Sequence, residues 1–156
     1  MAAAGLVRVA AVVLALAGPA AAEVLRAADP EGVAGALRAE GFAADLARTR
    51  GGDPLIRAAT PGELPFQLRF FGCLRGADCT SLQFVAGFAA RRVPAETVNG
   101  WNAALRFGRV HVTEGGQPVL SWDLLLEPGG LSPELFAAQL ALWERMMEGV
   151  LALLER

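Results

Sequence analysis

Apolar and polar positions follow different periods in different parts of the chain. Residues 1–22 carry one charge, Arg8, and Val9 to Ala17 is an unbroken apolar run. Beyond Glu23 the pattern becomes periodic. Asp29-Pro30-Glu31 has the order of a helix start: a capping carboxylate, a proline suited to the first turn, and an acid at the positive end of the helix. Val33, Ala36, Leu37 and Glu40 follow at helical spacing, and Gly41 is placed to end the helix. Phe42 to Ala47 and Leu55 to Ala59 are short strand candidates, with Arg50-Gly51-Gly52-Asp53 as the turn between them. From Glu63 to Cys73, Phe66, Leu68 and Phe70 alternate with Gln67, Arg69 and Phe71. From Thr80 to Phe88, Leu82, Phe84, Ala86 and Phe88 alternate with Ser81, Gln83, Val85 and Gly87. Period two with one face more apolar predicts half-buried strands.

Pro94-Ala95-Glu96 opens a second helix, with Val98, Trp101 and Leu105 on one stripe. Arg106 to Thr113 and Pro118 to Glu127 read as a hairpin around Glu114-Gly115-Gly116-Gln117. The second of these strands is apolar on both faces near its end, which predicts a central position. Pro128-Gly129-Gly130 breaks it, and Ser132-Pro133-Glu134 starts a last helix of about 22 residues. The order α-β-β-β-β-α-β-β-α over residues 23–156 predicts one α+β domain, an antiparallel sheet with helices packed on it.

At about 100° per residue, the last helix has an apolar arc of about 180°, wider than the stripe of about 100° a surface helix needs. Phe136, Leu140, Trp143, Met147, Val150, Leu151 and Leu154 form its main face; Leu142, Met146 and Leu153 form an added edge. That edge is either buried or meets a partner, and a second copy of the chain, giving a homodimer, is the first candidate.

The charged, apolar, small-residue order of residues 1–22 matches a secretory signal peptide cut after Ala22, and the apolar run is too short to span a membrane. An uncleaved anchor or a buried helix is the alternative. Cleavage predicts a periplasmic or secreted chain of 134 residues with no membrane attachment. It also changes the composition: the 54% hydrophobic content mixes an export signal with an ordinary core, and the net charge moves from −2 to −3 with the loss of Arg8. The acidic balance argues against a nucleic-acid partner.

Export also changes the reading of the cysteines. Cys73 and Cys79 flank a turn-like Leu74-Arg75-Gly76-Ala77-Asp78 between two strands, so a disulfide would clamp a hairpin. A redox-active pair is the other reading, without a Cys-x-x-Cys motif to support it. One His and two Cys make a poor metal set, and no phosphate-binding loop, dinucleotide fingerprint or nucleophile elbow is present, so neither a metal nor a cofactor is expected. His111, Ser121 and Asp123 fall near one hairpin, which makes a Ser-His-Asp hydrolase conceivable, but no oxyanion-hole motif accompanies them. The densest cluster is Trp101-Asn102 with Arg106-Phe107-Gly108-Arg109. It reads in two ways. It can be a recognition patch for an anionic or polar group. It can also be a structural corner with Trp101 and Phe107 in the core, Asn102 on turn amides and the arginines paired with acids.

Several stretches together resemble the YbjN-domain family of bacterial sensory transduction regulators: Asp53-Pro54-Leu55-Ile56-Arg57, Phe70-Phe71-Gly72-Cys73, Cys79-Thr80-Ser81-Leu82-Gln83-Phe84, Trp101-Asn102, Arg106-Phe107-Gly108-Arg109 and Pro118-Val119-Leu120. Phe66-Gln67-Leu68 and Ala89-Ala90-Arg91-Arg92 depart from it by being less polar or acidic than expected. The resemblance implies a fold similar to type III secretion chaperones, without catalysis or cofactor. The expectation is therefore a non-enzymatic periplasmic module that binds a protein or peptide by strand addition or groove contacts, in envelope stress or signalling. A small hydrolase and a thiol-redox protein are the alternatives.

Overall fold

A computed structural model describes residues 24–89 and 93–155. The predicted export signal lies outside the described residues. Helix α1 (Pro30–Ala39) is capped by Asp29, whose carboxylate accepts from the Gly32 N–H at 3.0 Å. It ends where Gly41 turns left-handed at φ 85°. Strands β1 (Ala43–Arg48), β2 (Pro54–Ala59), β3 (Pro65–Phe71) and β4 (Ser81–Gly87) follow as antiparallel neighbours. Helix α2 (Ala95–Ala104) leads to β5 (Arg109–Val112) and β6 (Pro118–Leu125), and α3 (Pro133–Leu154) closes the chain behind its Ser132 cap.

The six strands lie in the order β1-β2-β3-β4-β6-β5, all antiparallel. The element order and the α+β class are those expected from the hydrophobic pattern. β6 is internal, between β4 and β5, although Leu125 near its end is exposed. β5 begins at Arg109 rather than Arg106. Gly108 at φ 67° sits in a left-handed corner, and the exposed Arg106 and Phe107 precede it outside the ladder.

One face of the sheet carries the core. Ile56, Phe66, Leu68, Phe70, Leu82, Phe84 and Leu120 point into it and are buried. The Trp143 ring of α3 is fully buried against Phe84 and Phe66, with centroids at 5.2 and 5.8 Å. Large aromatic rings in tilted contact supply much of the burial energy of so small a domain. The segment before α1 is tied to the segment before α3: Leu25 and Leu131 exchange two backbone hydrogen bonds of 2.8 and 2.9 Å.

Candidate functional site

Strict alternation places the other half of each strand on the opposite face. The register sets Asp45 beside Arg57, Arg57 beside Gln67, Gln67 beside Val85, Val85 beside Ser121, and Ser121 beside Arg109. The neighbouring row runs Leu55, Arg69, Gln83, Asp123. His111 stands opposite Val119. A shallow cleft of about 570 Å³ crosses this face, lined by Arg57, Gln67, Arg69, Gln83, His111 and Ser121 over a floor that includes Val85, Gly87 and Val119.

No carboxylate lines the cleft among the described residues. Among the described residues, Arg57 and Arg69 have no acidic group within 4.0 Å; Arg69 instead donates from Nε and Nη2 to Gln67 Oε1, both at 3.4 Å. Asp123 lies outside the lining and is already engaged, since its Oδ1 accepts from Gln83 Nε2 at 3.0 Å. The cleft therefore presents two guanidiniums unpaired with acids among the described residues, two amides, a hydroxyl and an imidazole.

Ser121, His111 and Asp123 do share this face, as the hydrolase alternative requires. A relay also requires the carboxylate to orient the imidazole. Here Asp123 is held by Gln83, and no hydrogen bond joins it to His111 among the described residues.

The α2–β5 corner is built differently from its cluster of residue types. Asn102 grips the backbone of Val110 from both sides, donating from Nδ2 to the carbonyl and accepting at Oδ1 from the N–H, each at 2.9 Å. Trp101 is half-buried against α3: a Cβ on Gly149 would meet its Cη2 at 2.8 Å. Two parts of the structural reading need correction. Phe107 is 46% exposed rather than in the core, lying against Trp122 at 5.8 Å. The arginines pair with no acid among the described residues: Arg109 donates to the Gly108 carbonyl at 2.6 Å, and Arg106 sits 5.6 Å from the centre of the Phe107 ring. These guanidiniums are used locally, by carbonyls and a ring face.

A family model described as "putative bacterial sensory transduction regulator", YbjN, matches residues 29–156. The chain belongs to the YbjN family. No curated protein and no solved structure matches it. The family is described as a regulator, not as an enzyme.

On this YbjN domain, the stretches that carry the resemblance sit at the start of β2, around the β3–β4 hairpin, at the α2–β5 corner and at the start of β6. The hairpin is closed by a disulfide between Cys73 and Cys79. Cys79 is buried, and Arg48 Nη1 ties this loop to the β1–β2 turn by donating to the Gly76 carbonyl at 3.1 Å and the Gly52 carbonyl at 2.6 Å.

The α3 edge expected to face a partner divides. Met146 is core, 5% exposed, with its sulfur packed over Gly108, as the buried reading of this edge expects. The missing side chain at Gly108 makes the room that the helical wheel could not show. Leu142 and Leu153 are half-buried, and Leu142 packs against the core.

The cleft itself was missed. Its residues come from five strands across more than fifty positions, and only the strand register brings them together. The available signal was the run of polar residues at outward positions of consecutive strands: Arg57, then Gln67 and Arg69, then Gln83.

Proposed function

We propose that this YbjN domain is a non-enzymatic regulatory module that binds an extended peptide segment of a partner protein, exported to the periplasm by residues 1–22, and that the helix-free sheet face is the binding surface. The observation that carries the reading is the cleft, with polar groups from five strands above a small apolar floor. Convergent polar groups in a concavity of this size are the usual mark of a ligand site.

Docking on the face is favoured over strand addition because both sheet edges are engaged by the chain's own side chains. Asn102 occupies the free edge of β5 at Val110, and Arg38 Nε donates to the Ala44 carbonyl on β1 at 3.0 Å. Edges covered in this way resist pairing with another chain.

Panning a random heptapeptide display library on the protein tests this reading. Enriched peptides should lose binding on Gln83→Trp, which fills the cleft, and keep it on Arg145→Trp on the exposed side of α3. Failure to enrich any peptide, or undiminished binding to Gln83→Trp, overturns it. The export component predicts that the protein isolated from the producing cell begins at Glu23, as read by intact mass.

A further inference from the structure

We propose that the cleft selects acidic peptide segments, with Arg57 and Arg69 as the carboxylate-binding pair; the inference rests on the peptide-binding reading above and adds the chemistry of the occupant. The charge distribution argues for it. The chain sums to −2, yet the cleft holds two arginines and no carboxylate. Of the eight other arginines among the described residues, four are held by hydrogen bonds or ion pairs: Arg26 bridges to Glu127 and Arg38 to Glu31, Arg48 ties two loops together, and Arg109 binds a neighbouring carbonyl; Arg50, Arg75 and Arg145 stand without such a partner, so what sets Arg57 and Arg69 apart is that they share one concave face. Arg57 makes no side-chain hydrogen bond among the described residues, and Arg69 has only the long contacts to Gln67.

Their placement suits a carboxylate. Arg57 pairs across the ladder with Gln67, so Arg69, two positions along β3, is its diagonal neighbour. Diagonal positions lie about 7–8 Å apart, a gap that two long side chains can close on one anion from opposite sides. Guanidinium forks match carboxylate oxygens in number and angle, so this pair discriminates by geometry as well as by charge. The Gln67 amide stands between the two, ready to donate to the same group.

The shape of the cleft favours a peptide over a free small anion. Its lining runs from Arg57 on β2 to His111 on β5. Those strands are separated by four inter-strand steps of about 4.8 Å, so the long axis is about 19 Å, the reach of about six extended residues. A free dicarboxylate would occupy the arginine end alone. It would leave uncovered the Val85, Gly87 and Val119 floor and the His111 and Ser121 groups beyond it. A chain with acidic side chains at one end and small apolar ones after it engages both.

The probe is a fluorescein-labelled hexapeptide with two Glu at one end followed by four residues of Val and Ala, with two controls in which Gln or Lys replaces Glu, read by fluorescence anisotropy on the full mature protein. The acidic peptide should bind at least about tenfold more tightly than the Gln control. Its affinity should fall when sodium chloride is raised from about 50 to about 300 mM. Arg57→Gln and Arg69→Gln should each weaken it by about tenfold, whereas Arg145→Gln, an equal change of charge away from the cleft, should leave it unchanged.

Equal binding of the Gln control, or equal loss with Arg145→Gln, overturns the proposal. Free glutarate that displaces the probe as effectively as unlabelled peptide also overturns it, because the site would then be one for small anions. Neutral peptides that bind well but are blocked by Gln83→Trp remove the acidic preference and leave the peptide-binding reading standing. Binding of no peptide of any charge removes both. Circular dichroism of each arginine variant confirms that a lost signal is not a lost fold.

Discussion

The side-chain amide of Asn102 pairs with the main chain of Val110 as a neighbouring strand would, giving one hydrogen bond and receiving one, both of 2.9 Å. It fastens α2 to the edge of the sheet. Asn102→Ala leaves both Val110 groups to find water at a half-buried corner, and should cost about 1–3 kcal/mol of stability by urea unfolding. Asn102→Asp keeps the acceptor but sets a carboxylate oxygen against the Val110 carbonyl, so it should not rescue. Amide exchange at Val110 gives the decisive reading: an unchanged rate in Asn102→Ala would mean that the clamp is not closed in solution.

Gly149 lies inside α3, where alanine would ordinarily stabilise a helix by about 0.5–1 kcal/mol. The new methyl would meet the rigid Trp101 ring at 2.8 Å. Overpacking of this kind costs about 1–3 kcal/mol, so the steric term should win and Gly149→Ala should unfold at lower urea than the parent. A stabilised variant would show that Trp101 moves freely and that α2 is loosely held.

The Cys73–Cys79 disulfide encloses a short loop, for which the chain-entropy model gives about 2 kcal/mol. The double change Cys73→Ala and Cys79→Ala should lower stability by about that amount. It should leave peptide binding in the cleft intact, because the hairpin tip does not line it. Loss of binding in a folded double variant would assign the disulfide a role at the site.

Glu134 opens α3, and its carboxyl is held below the ordinary value of 4.5, first by a hydrogen bond from its own backbone N–H and second by the Ser132 hydroxyl. A depressed carboxylate stabilises the fold above its unfolded-state pKa and loses that contribution as pH falls through the lower, folded value. Carbon-detected titration of Glu134 should give a midpoint below 4.5, and Ser132→Ala should move it upward. The group is fully exposed, so the effect on overall stability should be small and confined to the acid limb.

The secondary structure was largely legible in the residue pattern, and the cleft on the open sheet face was not. Asp29 and Ser132 announce their helices because capping is a local act between a side chain and amides two or three residues on. Phe66, Leu68 and Phe70 announce a strand because alternation is local too. The placement of β6 between β4 and β5 was visible only as its two-sided apolar character. Whether Met146 is buried or spare apolar surface was left open by the helical pattern, because the space that buries it belongs to Gly108, nearly forty positions away. The corner at Trp101 and Arg106 drew attention because its residues are close in the chain. The cleft drew none because Arg57 and His111 meet only through the register of the intervening strands.

Among the described residues, helices cover one side of this sheet and leave the other bare. Along β3, Phe66, Leu68 and Phe70 serve the interior while Gln67 and Arg69, one residue away, do not touch it. Each strand therefore carries two nearly independent texts in alternate letters. Selection can rewrite the outward letters without repacking the protein. On this architecture, lineages that share one scaffold are free to present different surfaces.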